Sequence, residues 1–274
     1  MADTDLAISE LTVDDASAGL ILSTEAHWNQ NEADWRFFLS KGIVFGTRDP
    51  GGRLIATAAL LPYSAGNAWI SMVLVTHDWR RRGLATRLVD ACLNRANQLG
   101  LTTWLDATPA GAAVYGPLGF MPALQLRRLR LESAANPKAA AALAACDLGD
   151  LITRDHRAIG FARGDLLREF ATRAGSRLAS NGKAMALIRD GRTARHIGPL
   201  FADHPDHALA LVGDIAASET GPILIDAVAE WDDFLKGLTE SGWTIERPFQ
   251  RMRFGRATTQ AGELPFAVAG PEYG

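Results

Sequence analysis

The chain has 274 residues, 47% apolar and 22% charged, with a formal net charge of −3. This allows one large domain or two modest ones with an ample buried core, and it excludes general disorder. The absence of a basic surplus argues against nucleic-acid binding, and no uninterrupted apolar run approaches the length of about 18 residues needed to span a membrane.

The first segment, MADTDLAISE, has no basic stretch followed by an apolar run, so a soluble, cytoplasmic protein is expected. Leu6–Leu11 predicts a short strand, and Asp14-Asp15 opens an Ala-rich helix. Helical spacing breaks at His27-Trp28-Asn29-Gln30-Asn31 and resumes through Trp35, Phe37 and Phe38. Ile43–Thr47 and Leu54–Leu61 read as strands joined by the turn Asp49-Pro50-Gly51-Gly52, and Trp69–Val75 as a third. A helix follows with Leu84, Leu88, Ala91, Cys92 and Ala96 on one face, ended by Gly100. Thr102–Asp106 is a strand, Ala110–Leu118 a short helix and Leu124–Leu131 a strand, an α/β or α+β order that closes near residue 133. Ser133–Ala145 is an Ala-rich linker or helix. The two cysteines, Cys92 and Cys146, cannot build a disulfide framework or a Cys-rich zinc site.

From Ala184 the order recurs: strands Ala184–Arg189 and Thr193–Leu200, helix His207–Ala217, strand Ile223–Val228, helix Glu230–Leu238 and strand Pro248–Phe254. Shifting the chain by 123 positions lays Gly119-Phe120 on Gly242-Trp243 and Arg128-Leu129-Arg130-Leu131 on Arg251-Met252-Arg253-Phe254. Two related halves, residues 1–133 and 134–274, are therefore expected.

The chemistry concentrates between Trp69 and Phe120. A strand delivers the chain to Arg80-Arg81-Arg82-Gly83-Leu84-Ala85, which opens a helix through Thr86. A helix N-terminus presents unpaired N–H groups and the positive end of its dipole, and small residues let that backbone approach an anion. The pattern predicts a pyrophosphate cradle.

Those residues, with Tyr115-Gly116-Pro117-Leu118-Gly119-Phe120, resemble the two signatures of the GNAT superfamily of acyl-CoA-dependent N-acyltransferases. The resemblance covers roughly residues 6–131, with His77 where the family often has proline. It implies a mixed, mostly antiparallel sheet flanked by helices, with acetyl-CoA as donor and no metal. It also implies that Val73, Leu74 and Val75 receive the pantetheine arm, that Arg80 to Thr86 hold the pyrophosphate, and that Tyr115 protonates the departing thiolate. Asp106, Glu25 and His27 border the acceptor cleft in such a fold and are candidate bases, with Trp28 and Trp35 candidate walls. The acids Asp106, Glu25 and Asp34 would suit a cationic amine.

The second half resembles the extra GNAT-like domain of tandem members, but Ala202-Asp203-His204-Pro205-Asp206-His207 stands at its phosphate position. Leu238-Thr239-Glu240-Ser241 stands where the tyrosine should be. This half is expected to be a non-catalytic copy that closes the acceptor pocket, and Ala257–Gly274 a frayed end. His196, His204 and His207 match no metal-binding spacing. The expected activity is acetyl transfer to the primary amine of a small molecule. A non-catalytic acyl-CoA sensor, or transfer to a protein amine, remains an alternative, and no oligomeric state follows.

Overall fold

The computed structural model describes residues 6–133, 143–256 and 261–274. In the first half, strands β1 (Ile8–Glu10), β2 (Ile43–Arg48), β3 (Leu54–Tyr63), β4 (Asn67–Val75) and β5 (Thr102–Ala107) alternate with helices α1 (Ala16–Glu25), α2 (Glu32–Lys41), α3 (Leu84–Gln98) and α4 (Pro109–Tyr115), before β6 (Met121–Leu131). The second half runs α5 (Leu148–Ile159), α6 (Gly164–Thr172), β7 (Arg177–Ser180), β8 (Ala184–Arg189), β9 (Arg195–Ala202), α7 (Pro205–Ser218), β10 (Ile223–Val228), α8 (Asp232–Glu240) and β11 (Thr244–Phe254).

Local chemistry explains most of these elements. The Asp49 side chain accepts hydrogen bonds from the amides of Gly51 and Arg53, which fixes the β2–β3 turn. Asn31 and Asp34 exchange side-chain and backbone bonds in a capping box that starts α2. Helix α3 buries Leu84, Leu88, Val89, Cys92 and Ala96 against the sheet, and Gly100 leaves it at φ +66°. Helices α5 and α6 and strand β7 had no counterpart in the sequence pattern described above. The Ala-rich linker falls largely on residues 134–142, outside the described residues.

All the strands join one sheet in the order β1-β2-β3-β4-β5-β11-β6-β10-β9-β8-β7. Neighbours are antiparallel except for two parallel pairs, β4 with β5 and β9 with β10. The halves are not two separate sheets: β11 completes the first half beside β5, and β6 completes the second beside β10. Each half gives its last strand to the other. β6 and β11 are the segments that the 123-residue shift superposes.

The exchange is fastened by two matching ion pairs. Arg251 on β11 stands opposite Asp106 on β5 and donates to both its carboxylate oxygens at 2.9 and 2.8 Å. Arg128 on β6 stands opposite Asp226 on β10 and does the same, both at 2.8 Å. All four side chains are buried. His196 on β9 donates from Nε2 to the second oxygen of Asp226 at 2.7 Å. Burial opposes the charge on Asp226, but Arg128 and His196 hold its carboxyl well below the usual range.

The end of the chain departs most from expectation. Residues 265–274 are buried throughout, not frayed, because Phe266 packs on Trp231 and Phe234, Val268 against Leu126, Val228 and Phe249, and Tyr273 between Phe38 of the first half and Phe170 of the second. Tyr273 stacks on Phe38 at 4.9 Å and donates to Asp34 at 2.8 Å. Trp69 Nε1 donates to the Pro271 carbonyl at 2.9 Å, and Arg163 to that of Tyr273 at 2.7 Å.

Removing one partner of a buried pair strands the other charge. Asp226→Ala is expected to cost about 3–5 kcal/mol in denaturant unfolding at neutral pH. Because the folded-state pKa of Asp226 is depressed, its contribution is present above the unfolded value of about 3.9 and disappears as pH falls below it. The gap between wild type and Asp226→Ala should therefore narrow in unfolding measurements carried from pH 6 down through the acid limb.

Candidate active site

β4 and β5 pair in parallel at Asn67–Thr102, Ala68–Thr103 and Trp69–Trp104, and then part. On its other side β4 carries a bulge: Thr57 faces Leu74 and Ala59 faces Ser71, so Met72 and Val73 share one partner residue on β3. Met72 takes φ +51°, a strained value for a bulky side chain. The parted strands open a cavity that crosses the sheet. Thr108, Gly111 and Tyr115 line it from the α4 face, and Trp28 and Gln30 from the loop between α1 and α2. Ser71, Met72 and Val73 contribute from β4 and Asp106 from β5.

Four residues singled out in the sequence thus meet at one place: Val73, Asp106, Tyr115 and Trp28. Leu74 is buried in the core, and the Val75 carbonyl accepts from Arg80 Nε at 3.0 Å. Glu25 does not line the cavity. Its carboxylate accepts from the Thr76 hydroxyl at 2.6 Å and the His77 amide at 2.5 Å, bonds that hold its pKa below the ordinary value and pin the exit of β4. Trp35 is fully buried and donates to Ser23 at 2.8 Å, a core residue and not a wall.

The segment Arg80–Thr86 lies beyond β4, on the surface at its start. Gly83 is the N-cap of α3 at φ +75°, and no side chain caps the first turn. The early amides of α3 therefore have no side-chain acceptor, the condition for anion binding at a helix start. Arg81 also sits at positive φ, and Arg82 stacks over Trp79 at 4.7 Å while donating to the Asp78 carbonyl.

Tyr115 ends α4 half-buried, packed on Phe120, and its hydroxyl makes no hydrogen bond among the described residues. Burial, with Cys92 nearby, pushes the phenol up to about 12. Asp106 reaches the cavity wall with both oxygens held by Arg251 and no exposed side-chain surface. Burial raises its carboxyl above the ordinary value despite that partner.

The second half lines the cavity with residues that the sequence pattern did not single out. Arg247 and Phe249 arrive on the exchanged strand β11, and Pro271 and Glu272 on the closing segment. Their signal was present in the apolar run Ala267-Val268-Ala269, but a covered segment looks like a loose one until its neighbours are known. The break at residues 27–31 is an interlock. Asn29 Oδ1 accepts from the amides of Thr193 and Ala194, and Arg192 donates to the Trp28 carbonyl, so the β8–β9 turn holds the cavity loop.

The second half repeats the parted strands and fills the opening from within. β9 and β10 pair only from Ile223–Arg195 to Ile225–Ile197, with a matching irregularity in β9 at Gly198-Pro199. Residues 266–268 enter the gap: Leu200 N donates to Ala267 O, Phe266 N to Leu200 O, and Val268 N to Asp226 O. The start of α7 is closed as well, since Pro205 lacks an N–H and the His204 side chain accepts from Asp206 N at 3.3 Å. Among the described residues, no cluster of His, Cys, Asp and Glu forms a metal site, and no helix is long and apolar enough to cross a membrane.

Residues 9–120 match the Acetyltransferase (GNAT) family, and residues 151–267 match an Acetyltransferase (GNAT) domain. YitH, an uncharacterized N-acetyltransferase of Bacillus subtilis (strain 168), is 26% identical over 238 residues, 82% of this chain and 84% of that protein. A candidate acetyltransferase from Pyrococcus horikoshii shares the fold at TM-score 0.79 and 18% identity, over 100% of this chain and 98% of that one. A tandem GNAT protein from the clavulanic acid biosynthesis pathway does so at TM-score 0.63 and 15% identity, over 92% of this chain and 100% of that one.

A Cβ at Gly198 would meet the Val268 carbonyl oxygen at 2.0 Å. Gly198→Ala should push residues 266–268 out of the second gap, costing about 2–3 kcal/mol by thermal unfolding. Limited proteolysis should then cut the closing segment at protease levels that leave the wild type intact.

Proposed function

The chain belongs to the GNAT superfamily of N-acyltransferases in both halves, and on that premise we propose that its first half transfers acetyl from acetyl-CoA directly to the primary amine of a small molecule. The observation that carries this is the unbonded Tyr115 hydroxyl at the cavity where β4 and β5 part. A protein that only sensed the donor would have no use for a proton donor there.

The residues fit the donor. The uncapped amides at the start of α3, with Arg80, Arg81, Arg82 and the small residues Gly83 and Ala85, suit a pyrophosphate, while Leu84 anchors the helix and Thr86 extends its first turn. The strand stretch Val73–Val75 suits an extended pantetheine arm, because β5 has already diverged from it. Acetyl-CoA supplies the thioester. Backbone N–H groups of the β4 bulge stabilise charge developing on the carbonyl oxygen as the amine attacks; the C–S bond then breaks, Tyr115 gives its proton to the departing sulfur, and the proton shed by the amine nitrogen restores the phenol. Asp106 positions β11 through Arg251 and so shapes the wall without offering a free oxygen. The second half takes no donor, since its own residues 266–268 fill the corresponding gap.

Calorimetric titration should give one acetyl-CoA per chain, weakened in the Arg81→Ala/Arg82→Ala variant. Two equivalents would overturn the assignment of the second half. Tyr115→Phe should lower kcat by about 100-fold or more while keeping donor affinity. Because burial raises the phenol pKa to about 12, this acid stays protonated as pH rises, so wild-type kcat should show no alkaline fall up to pH 10.

A further inference from the structure

The carboxylates that the sequence offers near the cleft would draw a cation, but each is already committed. Asp106 is held on both oxygens by Arg251. Asp34 has no exposed surface and accepts from Arg173 at 2.5 Å, Tyr273 at 2.8 Å and the Asn31 amide at 2.9 Å. Glu25 is outside the cavity, bonded to Thr76 and His77. Those three carboxylates therefore offer a polyamine no free charge.

One cation in the cavity wall is uncommitted. Arg128 lines the cavity, but Asp226 holds it by two bonds. Arg247 also lines the cavity, and its ion-pair partner among the described residues is the adjacent Glu246 at 4.0 Å, too far for a hydrogen bond. Its side chain is 33% exposed, open enough to be reached. Arg247 follows an irregularity in the β11–β6 ladder and faces Arg128 in the register. Burial and that neighbouring arginine pull its guanidinium below the ordinary value, a penalty that a bound anion would relieve.

The same cavity holds polar groups suited to an amine. Gln30 Oε1 and Ser71 Oγ are buried with no hydrogen-bond partner, a costly condition that N–H donors would relieve. The Glu272 side chain is more than nine-tenths buried. Its one hydrogen bond among the described residues comes from Arg189 at 3.4 Å, which leaves the other carboxylate oxygen without a partner.

We propose that the acceptor is an amine that also bears an anionic group, carboxylate or phosphate: Arg247 pairs with the anion, and Glu272, Gln30 and Ser71 seat the amine. This rests on the transfer activity proposed above, and it assigns the substrate class and four residues that contact it.

The test is thiol release at saturating acetyl-CoA with matched sets of acceptors: an amino acid, an aminoalkyl phosphate and the plain alkylamine of equal carbon number. In the wild type, kcat/KM for one of the anionic arms should exceed that for the plain amine by about tenfold or more, and the winning arm tells carboxylate from phosphate. Arg247→Met should bring that ratio close to one, and Arg247→Lys should restore part of it. Because the ratio is taken within one protein, any loss of folded fraction cancels. Equal kcat/KM across the three arms in the wild type, or a preference that survives Arg247→Met, overturns the proposal. Acetyl-CoA binding without thiol release in any arm overturns the transfer activity itself, and the acceptor assignment with it.

Discussion

A parallel strand pair that separates leaves backbone donors and acceptors facing a gap, and such groups cannot stay unsatisfied in a protein interior. This molecule meets the problem twice, where β4 leaves β5 and where β9 leaves β10. In the second gap the chain solves it alone, by laying residues 266–268 between the strands and bonding them to Leu200 and Asp226. In the first gap a cavity lies there, bordered by a strained bulge at Met72. The same unmet requirement is met by packing in one half and leaves an open cavity in the other. It follows that the two halves diverged in what fills the gap far more than in how they fold.

The exchanged strands explain why the second half cannot be dispensable. β11 is the immediate neighbour of β5, so Arg251 supplies the counter-charge for an aspartate on the wall of the first half's cavity. The same strand carries Arg247 and Phe249 into that cavity, and the closing segment carries Glu272. Half of the charged lining therefore belongs to a unit with no cradle of its own. Paired charges also divide the labour: Asp106 and Arg128 spend theirs on holding strands, which leaves recognition to Arg247 and Glu272.

Much of the first half was legible because its signals are local. The Asp49 turn, the apolar face of α3, Gly83 before a helix and the placement of Tyr115 each depend on a few neighbouring residues. The 123-residue shift even superposed the two strands that change places, since Arg128 and Arg251 occupy equivalent positions. What the pattern could not disclose was which half each strand would join, because alternation along a strand describes its faces and says nothing about its edges. The role of Glu272 was hidden for a related reason. Arg189 reaches its side chain, while Trp69 and Arg163 hold the carbonyls of Pro271 and Tyr273 on either side, and all three lie far away in sequence. Glu25 and Asp106 show the converse limit: proximity to a cleft can be inferred from a motif, whereas the partners that occupy a carboxylate cannot.

The exchange also sets a timetable for synthesis. As the chain leaves the ribosome, β5 emerges more than a hundred residues ahead of the strand that must lie beside it. Until Thr244–Phe254 has been made, the edge of β5 is bare and Asp106 lacks its arginine, and until Glu272 has been made the pocket lacks a wall. The half that holds the cavity is thus translated first but finished last, with contacts of long sequence separation that form slowly and leave sticky edges exposed meanwhile. A truncated product of interrupted translation would carry the motif of an enzyme without its cavity, and would be a target for chaperones and proteases.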